Sequence, residues 1–185
     1  MKLIKTLLIG LSISAVLVAC GPQISKEKLA EIDELEAMID DASEMLNAVD
    51  SATAMQAVDT YNENLHYIQS ELNDTLPREE AFFVDTYYRL RKTMQKFASN
   101  YNTLSSEVVI AKQQLTNLRK DAKNGLVEEK QFDEYLALER QNTEGLFNAT
   151  KDLMEPFQKA LPLYEKKNPR IDSLIQSFEA EQMLE

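Results

Sequence analysis

Few residues in this chain could make or break bonds. It has one cysteine, Cys20, and one histidine, His66, in 185 residues. A catalytic thiol needs a cation or an imidazole beside it to hold the thiolate form. Cys20 is flanked by Ala19 and Gly21, and His66 lies far along the chain. Glu63 and His66 form a single E-x-x-H, three apart on one helix face. Helical di-iron sites use two such motifs plus two further glutamates, and zinc sites use three or four ligands. One motif therefore reads as a surface pair. The acidic doublets Asp40-Asp41, Glu79-Glu80 and Glu128-Glu129 have no defined partner for acid–base work and match no calcium loop. H-E-x-x-H, glycine-rich phosphate loops and C-x-x-C are missing from the sequence. These residues lead us to expect no enzyme, no metal, no cofactor and no small-molecule substrate.

What remains is to explain Cys20. The chain opens with Lys2 and Lys5, followed by the uncharged run LLIGLSISAVLVA at 7–19. That run is too short for an ordinary membrane-crossing helix, which needs ~20 residues. A positive start, a short apolar stretch and a small residue before a cleavage point describe a secretory signal. Leu17-Val18-Ala19-Cys20 resembles the bacterial lipobox. The resemblance implies cleavage before Cys20, a thioether from its sulfur to diacylglycerol, and acylation of the new amino terminus. Gly21 stands where an aspartate would signal inner-membrane retention in enteric bacteria, so the resemblance points to the outer membrane. The alternative is a membrane helix over 1–19 with Cys20 as a plain thiol near its end. Two or three acyl chains hold a protein stably where one does so only marginally. Beyond Cys20 the chain is similar to coiled-coil lipoproteins in general character only.

This gives three segments: a signal at 1–19, a tether at 20–25 and a helical domain at 26–185. The last is the size of one domain and can bury a core without disulfides. The whole chain has a formal net charge of −11, which becomes −13 without Lys2 and Lys5. Such a charge excludes a nucleic-acid binder and a body lying flat on anionic lipid.

The domain is rich in strong helix formers and shows no strand-like alternation. Ile32, Leu35, Ile39, Ala42 and Leu46 make a heptad seam, which slips phase at Asp50–Thr53 and resumes with Val58, Tyr61, Leu65 and Ile68. The spacing favours one continuous or mildly kinked helix from Ser25 to about Thr75, over two helices meeting at a bend. Pro77 starts a second helix, whose seam from Phe83 to Ala122 holds one phase throughout. Gly125 ends it in a left-handed cap. A third helix begins near Glu128, with Pro156 and Pro162 expected to bend or interrupt it. A short helix follows Asn168-Pro169. The expected fold is all-α: an elongated antiparallel three-helix bundle or coiled coil with a short C-terminal helix.

Two features of that pattern bear on function. Glu139, Thr143 and Thr150 fall on the third seam, either as buried polar residues that fix register or as a half-exposed stretch. Phe82, Phe83, Tyr87 and Tyr88 cluster just after Pro77, either as core or as a partner-binding patch. The expected function is a non-enzymatic, lipid-anchored scaffold or protein-interaction protein of the bacterial cell envelope. A ligand-binding or adaptor module using a groove or that patch is the alternative. The expected partners are the membrane, through Cys20, and another envelope protein. The first helix should start at the membrane, with the Leu76-Pro77 turn furthest from it.

Overall fold

The computed structural model describes residues 24–72 and 76–184; the signal-like segment, Cys20 and residues 73–75 lie outside them. The secondary structure of the described residues is all α-helical: α1 (Lys26–Asn47), α2 (Ser51–Glu71), α3 (Arg78–Tyr88), α4 (Arg91–Lys123) and α5 (Glu129–Gln182). Arg89 and Leu90 keep right-handed helical dihedrals between α3 and α4. The two segments therefore form one bent helix, and the fold among the described residues is four helices.

Cross-chain pairs give the helix directions. Lys28 pairs with Asp133 at 2.5 Å, Glu31 with Arg140 at 2.6 Å, and Asn64 donates to Asn168 at 3.1 Å. These numbers rise together, so α1 and α2 run parallel to α5. Asp33 pairs with Arg119, Asp40 with Lys112 at 2.6 Å, and Tyr101 donates to the Leu46 carbonyl at 3.2 Å. Here one number rises as the other falls, so α4 runs antiparallel to α1. The exposed pairs contribute little stability singly, and their main effect is to select this register. Each acidic doublet supplies one partner: Asp40 to Lys112, Glu79 to Arg170 and Glu129 to Lys28.

The seams fill the core. Ile32, Leu35, Ile39, Ala42 and Leu46 of α1 are buried, as is every α4 seam residue from Met94 to Ala122. Midway along, the Phe97 and Phe157 rings stack at 3.6 Å and 9°. Packing begins before α1 with buried Ile24, while Ser25 accepts from the Lys28 amide at 3.3 Å and caps the helix.

The expected continuous first helix is corrected: α1 ends at Asn47 and α2 starts at Ser51. Asp50 has extended dihedrals and accepts from the Thr53 amide at 2.8 Å. A capping aspartate at the phase slip favours a new helix start over a strained stutter. The second helix also differs, because its unbroken seam hides the bend at Arg89–Leu90. The short C-terminal helix is corrected in the opposite sense, since α5 runs through Pro156, Pro162 and Pro169. All three prolines lie on the exposed side of α5. There the missing amide bonds open toward water, where proline is tolerated best within a helix.

Buried or cross-chain donors meet the carbonyls freed at these irregularities. Tyr101 Oη donates to Leu46 O, whose helical acceptor role ends with α1. Tyr61 Oη lies 3.2 Å from Tyr88 O at the α3–α4 bend, and equally close to Tyr87 O, which also accepts from the Leu90 amide at 3.0 Å. Lys96 Nζ donates at 3.1 Å to Asp152 O, four residues before Pro156. At the two buried sites a carbonyl without a partner would be costly, so the tyrosine hydroxyls offset the bends there, whereas the Lys96 bond lies exposed.

The threonines of the third seam's polar stretch are buried, and Glu139 is half-buried. Thr143 and Thr150 are fully enclosed, which overturns the half-exposed reading, and neither hydroxyl has a hydrogen-bond partner. Glu139 Oε2 is also buried without one, and burial holds its carboxyl above the usual range. An orphaned hydroxyl costs about 1–3 kcal/mol. Thr143→Val and Thr150→Val should each raise unfolding free energy in urea by an amount of that order. A loss of stability would mean the hydroxyls are satisfied in solution. Because Glu139 binds a proton more tightly folded than unfolded, its contribution falls as pH rises through and above 4.5, and Glu139→Gln should flatten that slope.

Candidate functional site

The end opposite Ile24 differs from the rest of the molecule because α3 covers its neighbours incompletely. This helix has 11 residues and fully buries only Tyr87. The four expected aromatics therefore divide. Tyr87 is core, Phe83 is half-buried, and Phe82 and Tyr88 are 69% and 40% exposed. The core reading holds for Tyr87, which packs inside, while Phe82 and Tyr88 remain on the surface.

Cations hold two of these rings in place. The Arg170 guanidinium lies 4.4 Å and the Lys167 ammonium 5.1 Å from the Phe83 ring centroid. Lys167 also donates to Thr86 Oγ1 at 2.7 Å, and Arg170 pairs with Glu79 at 3.3 Å. Arg91 sits 5.6 Å over the Tyr88 ring and donates to its hydroxyl at 2.8 Å. Such contacts order exposed aromatic rings at low entropic cost on binding.

Two grooves flank the end of α2. One, of about 480 Å³, runs between α2 and α3 beside Leu65, Ile68, Leu72, Val84 and Tyr88. The other, of about 650 Å³, lies between Leu72, Leu76 and Pro77 on one side and Leu174 and Phe178 of α5 on the other. They share Leu72 and Leu76 and so meet at the end of α2, the second being edged by the polar side chains of Glu80, Ser177, Glu181 and Gln182.

A half-buried polar node fixes this end to the long helices. Asn168 Oδ1 accepts from Tyr87 Oη at 2.8 Å and from Asn64 Nδ2 at 3.1 Å. Asn64 Nδ2 also donates to Asp172 at 2.7 Å, and Asn168 Nδ2 does so at 2.9 Å. Tyr61, Tyr87 and Tyr164 pack their rings together at centroid distances of 4.8 to 6.3 Å. Burial pushes the Tyr61, Tyr87 and Tyr164 hydroxyls above the ordinary tyrosine value of 10.0, so they stay protonated and able to donate.

No family model, curated protein or solved structure matches the chain.

The other sequence candidates are not gathered here. Glu63 and His66 stay on the exposed face of α2. Among the described residues, no group of three or more His, Cys, Asp or Glu side chains is placed to hold a metal ion, and no helix is long and apolar enough to cross a membrane. Cys20 lies outside the described residues. The Asn64–Asn168–Asp172 node was missed because Asn168-Pro169 reads as a helix break. Its signal was the tyrosines at seam positions 61, 87 and 164, since a buried phenol requires a polar partner.

Proposed function

We propose that this chain is a non-enzymatic, lipid-anchored helical protein of the bacterial cell envelope. Cys20 carries the lipid and the far end contacts a partner protein. In this reading the fold acts as an elongated antiparallel three-helix bundle: α1 with α2 as one leg, α3 with α4 as the second, and α5 as the third. The outer membrane is the preferred location, on the strength of Gly21.

The observation that carries the proposal is the separation of two ends. The lipobox-like cysteine precedes buried Ile24, where α1 begins beside the end of α4. The ordered aromatics and the shared grooves lie at the other end, past the full length of α1 and α2. Those helices, 22 and 21 residues long, place the two ends roughly 60–70 Å apart at 1.5 Å per residue. Exposed aromatics beside an apolar groove are typical interface anchors. The paired grooves favour an adaptor form of the function, in which a partner segment lies along Leu72 and Leu76.

Cross-linking and pull-down from intact envelope tests this reading. The Phe82→Ala, Tyr88→Ala double variant should fold normally and recover its partner at least ~10-fold less well than wild type, the loss expected when interface anchors are truncated. Equal recovery by both forms would sink the assignment of this end as the contact surface.

A further inference from the structure

The turn between α4 and α5 carries a side chain that the fold does not use. Lys123-Asn124-Gly125-Leu126 closes α4 with Gly125 at φ 64°. The Gly125 amide donates to Ala122 O at 3.3 Å, and the Leu126 amide donates to Asp121 O at 2.9 Å. This is the Schellman pair of bonds, and an apolar residue at the Leu126 position ordinarily packs back on the helix it closes. Leu126 is instead 71% exposed, while the next residue, Val127, is buried. The cap fixes the backbone and leaves the leucine pointing outward at the tip of the molecule.

This tip is the end from which the lipid tether departs. Ile24, Lys26 and Leu29 share a depression with Ala122 and Lys123. Only residues 21–23 separate Ile24 from Cys20, so their Cα atoms can be at most ~14 Å apart. Resting on the lipid-anchor reading of Cys20, we propose that Leu126 inserts into the lipid surface as a second, non-covalent membrane contact that sets the molecule upright. The occupant is a bilayer because the tether holds this end against one. The contact is apolar in character. Lys26, Lys120, Lys123 and Lys130 lie near the tip, but so do Glu27, Asp121 and Glu128, so their charges largely cancel. Binding should therefore persist without anionic lipid, with the lysine stems reaching past Leu126 to the headgroups.

The chain contains no tryptophan, so one can be introduced as the sole indole. The full-length protein with Leu126→Trp, purified from membranes in its processed form and reconstituted into phosphatidylcholine vesicles, is followed by flotation and fluorescence. We expect flotation, an emission maximum shifted to shorter wavelength than in the detergent-free Cys20→Ala form, and quenching by brominated lipid. Phe82→Trp at the opposite end should float equally and remain unquenched. Flotation with Leu126→Trp unquenched would overturn this proposal and leave the lipid anchor standing. Quenching of Phe82→Trp would also overturn it, because the molecule would then lie flat. A blue shift without lipid would mean that a second copy covers the tip, again overturning it. Failure to float would defeat both the anchor and this contact.

Discussion

Phe97→Ala should lower the unfolding free energy by about 3–5 kcal/mol, the usual cost of truncating a buried phenylalanine. Phe97 is fully enclosed, stacked on Phe157 and tilted against Tyr101 at 4.8 Å. Tyr101 in turn bonds the last turn of α1 at Leu46 O. The substitution therefore opens a cavity at the level where α1 hands over to α2. Domains of this size have only about 5–15 kcal/mol to lose. Urea unfolding should show a lower midpoint with an unchanged slope, the mark of lost stability rather than a changed unfolded state. Phe82→Ala is the matched control. Its ring is mostly in water, so its effect should stay within about 0.5 kcal/mol. Similar losses for the two variants would contradict the assignment of Phe97 to the core and Phe82 to the surface.

Asn168→Ala should have the second largest effect, and a more local one. It removes the acceptor of Tyr87 Oη and Asn64 Nδ2 and one donor to Asp172. Tyr87 is fully buried, so its hydroxyl is left without a partner at a cost of about 1–3 kcal/mol, beyond the bonds themselves. A total loss of about 2–4 kcal/mol is expected. Amide exchange should accelerate in α2, α3 and the second half of α5, while α1 and the paired half of α4 keep their protection. Adding Tyr87→Phe should recover part of the loss, because deleting both partners strands fewer groups than deleting one. Simple additivity would contradict the node. The same tyrosines tie stability to alkaline pH. Their folded-state values are raised, so their contribution is complete below 10.0 and declines as pH rises above it.

The parts of this molecule legible in sequence are those governed by one helical period. The α4 seam, buried at every expected position, was read from steps of three and four alone. The left-handed Gly125 was legible too, from the residue type that this cap requires. What escaped were the places where a local rule met a tertiary donor. The phase slip at Asp50–Thr53 reads as a stutter or mild kink in one helix in preference to a bend between two, yet the Asp50 carboxylate caps a new helix while Tyr101 satisfies the carbonyl left behind. Pro156 reads as a bend or an interruption, yet α5 continues through it, with the proline facing water and Lys96 bonding the carbonyl it frees. The aromatic cluster was found by proximity to Pro77. Its division into buried Tyr87 and exposed Phe82 and Tyr88 depended on how little α3 covers, which periodicity does not report. The grooves at Leu72 and Leu76 have the same origin.

The two ends of the molecule assign its roles, and the account depends most on the end that begins at Cys20. The direct measurement is incorporation of labelled palmitate into the protein in growing cells, compared between wild type and Cys20→Ala. A lipid on the cysteine sulfur and the new amino terminus predicts strong label on the wild-type band and none on Cys20→Ala. An unlabelled wild-type protein, or equal label on both forms, would contradict the anchored reading.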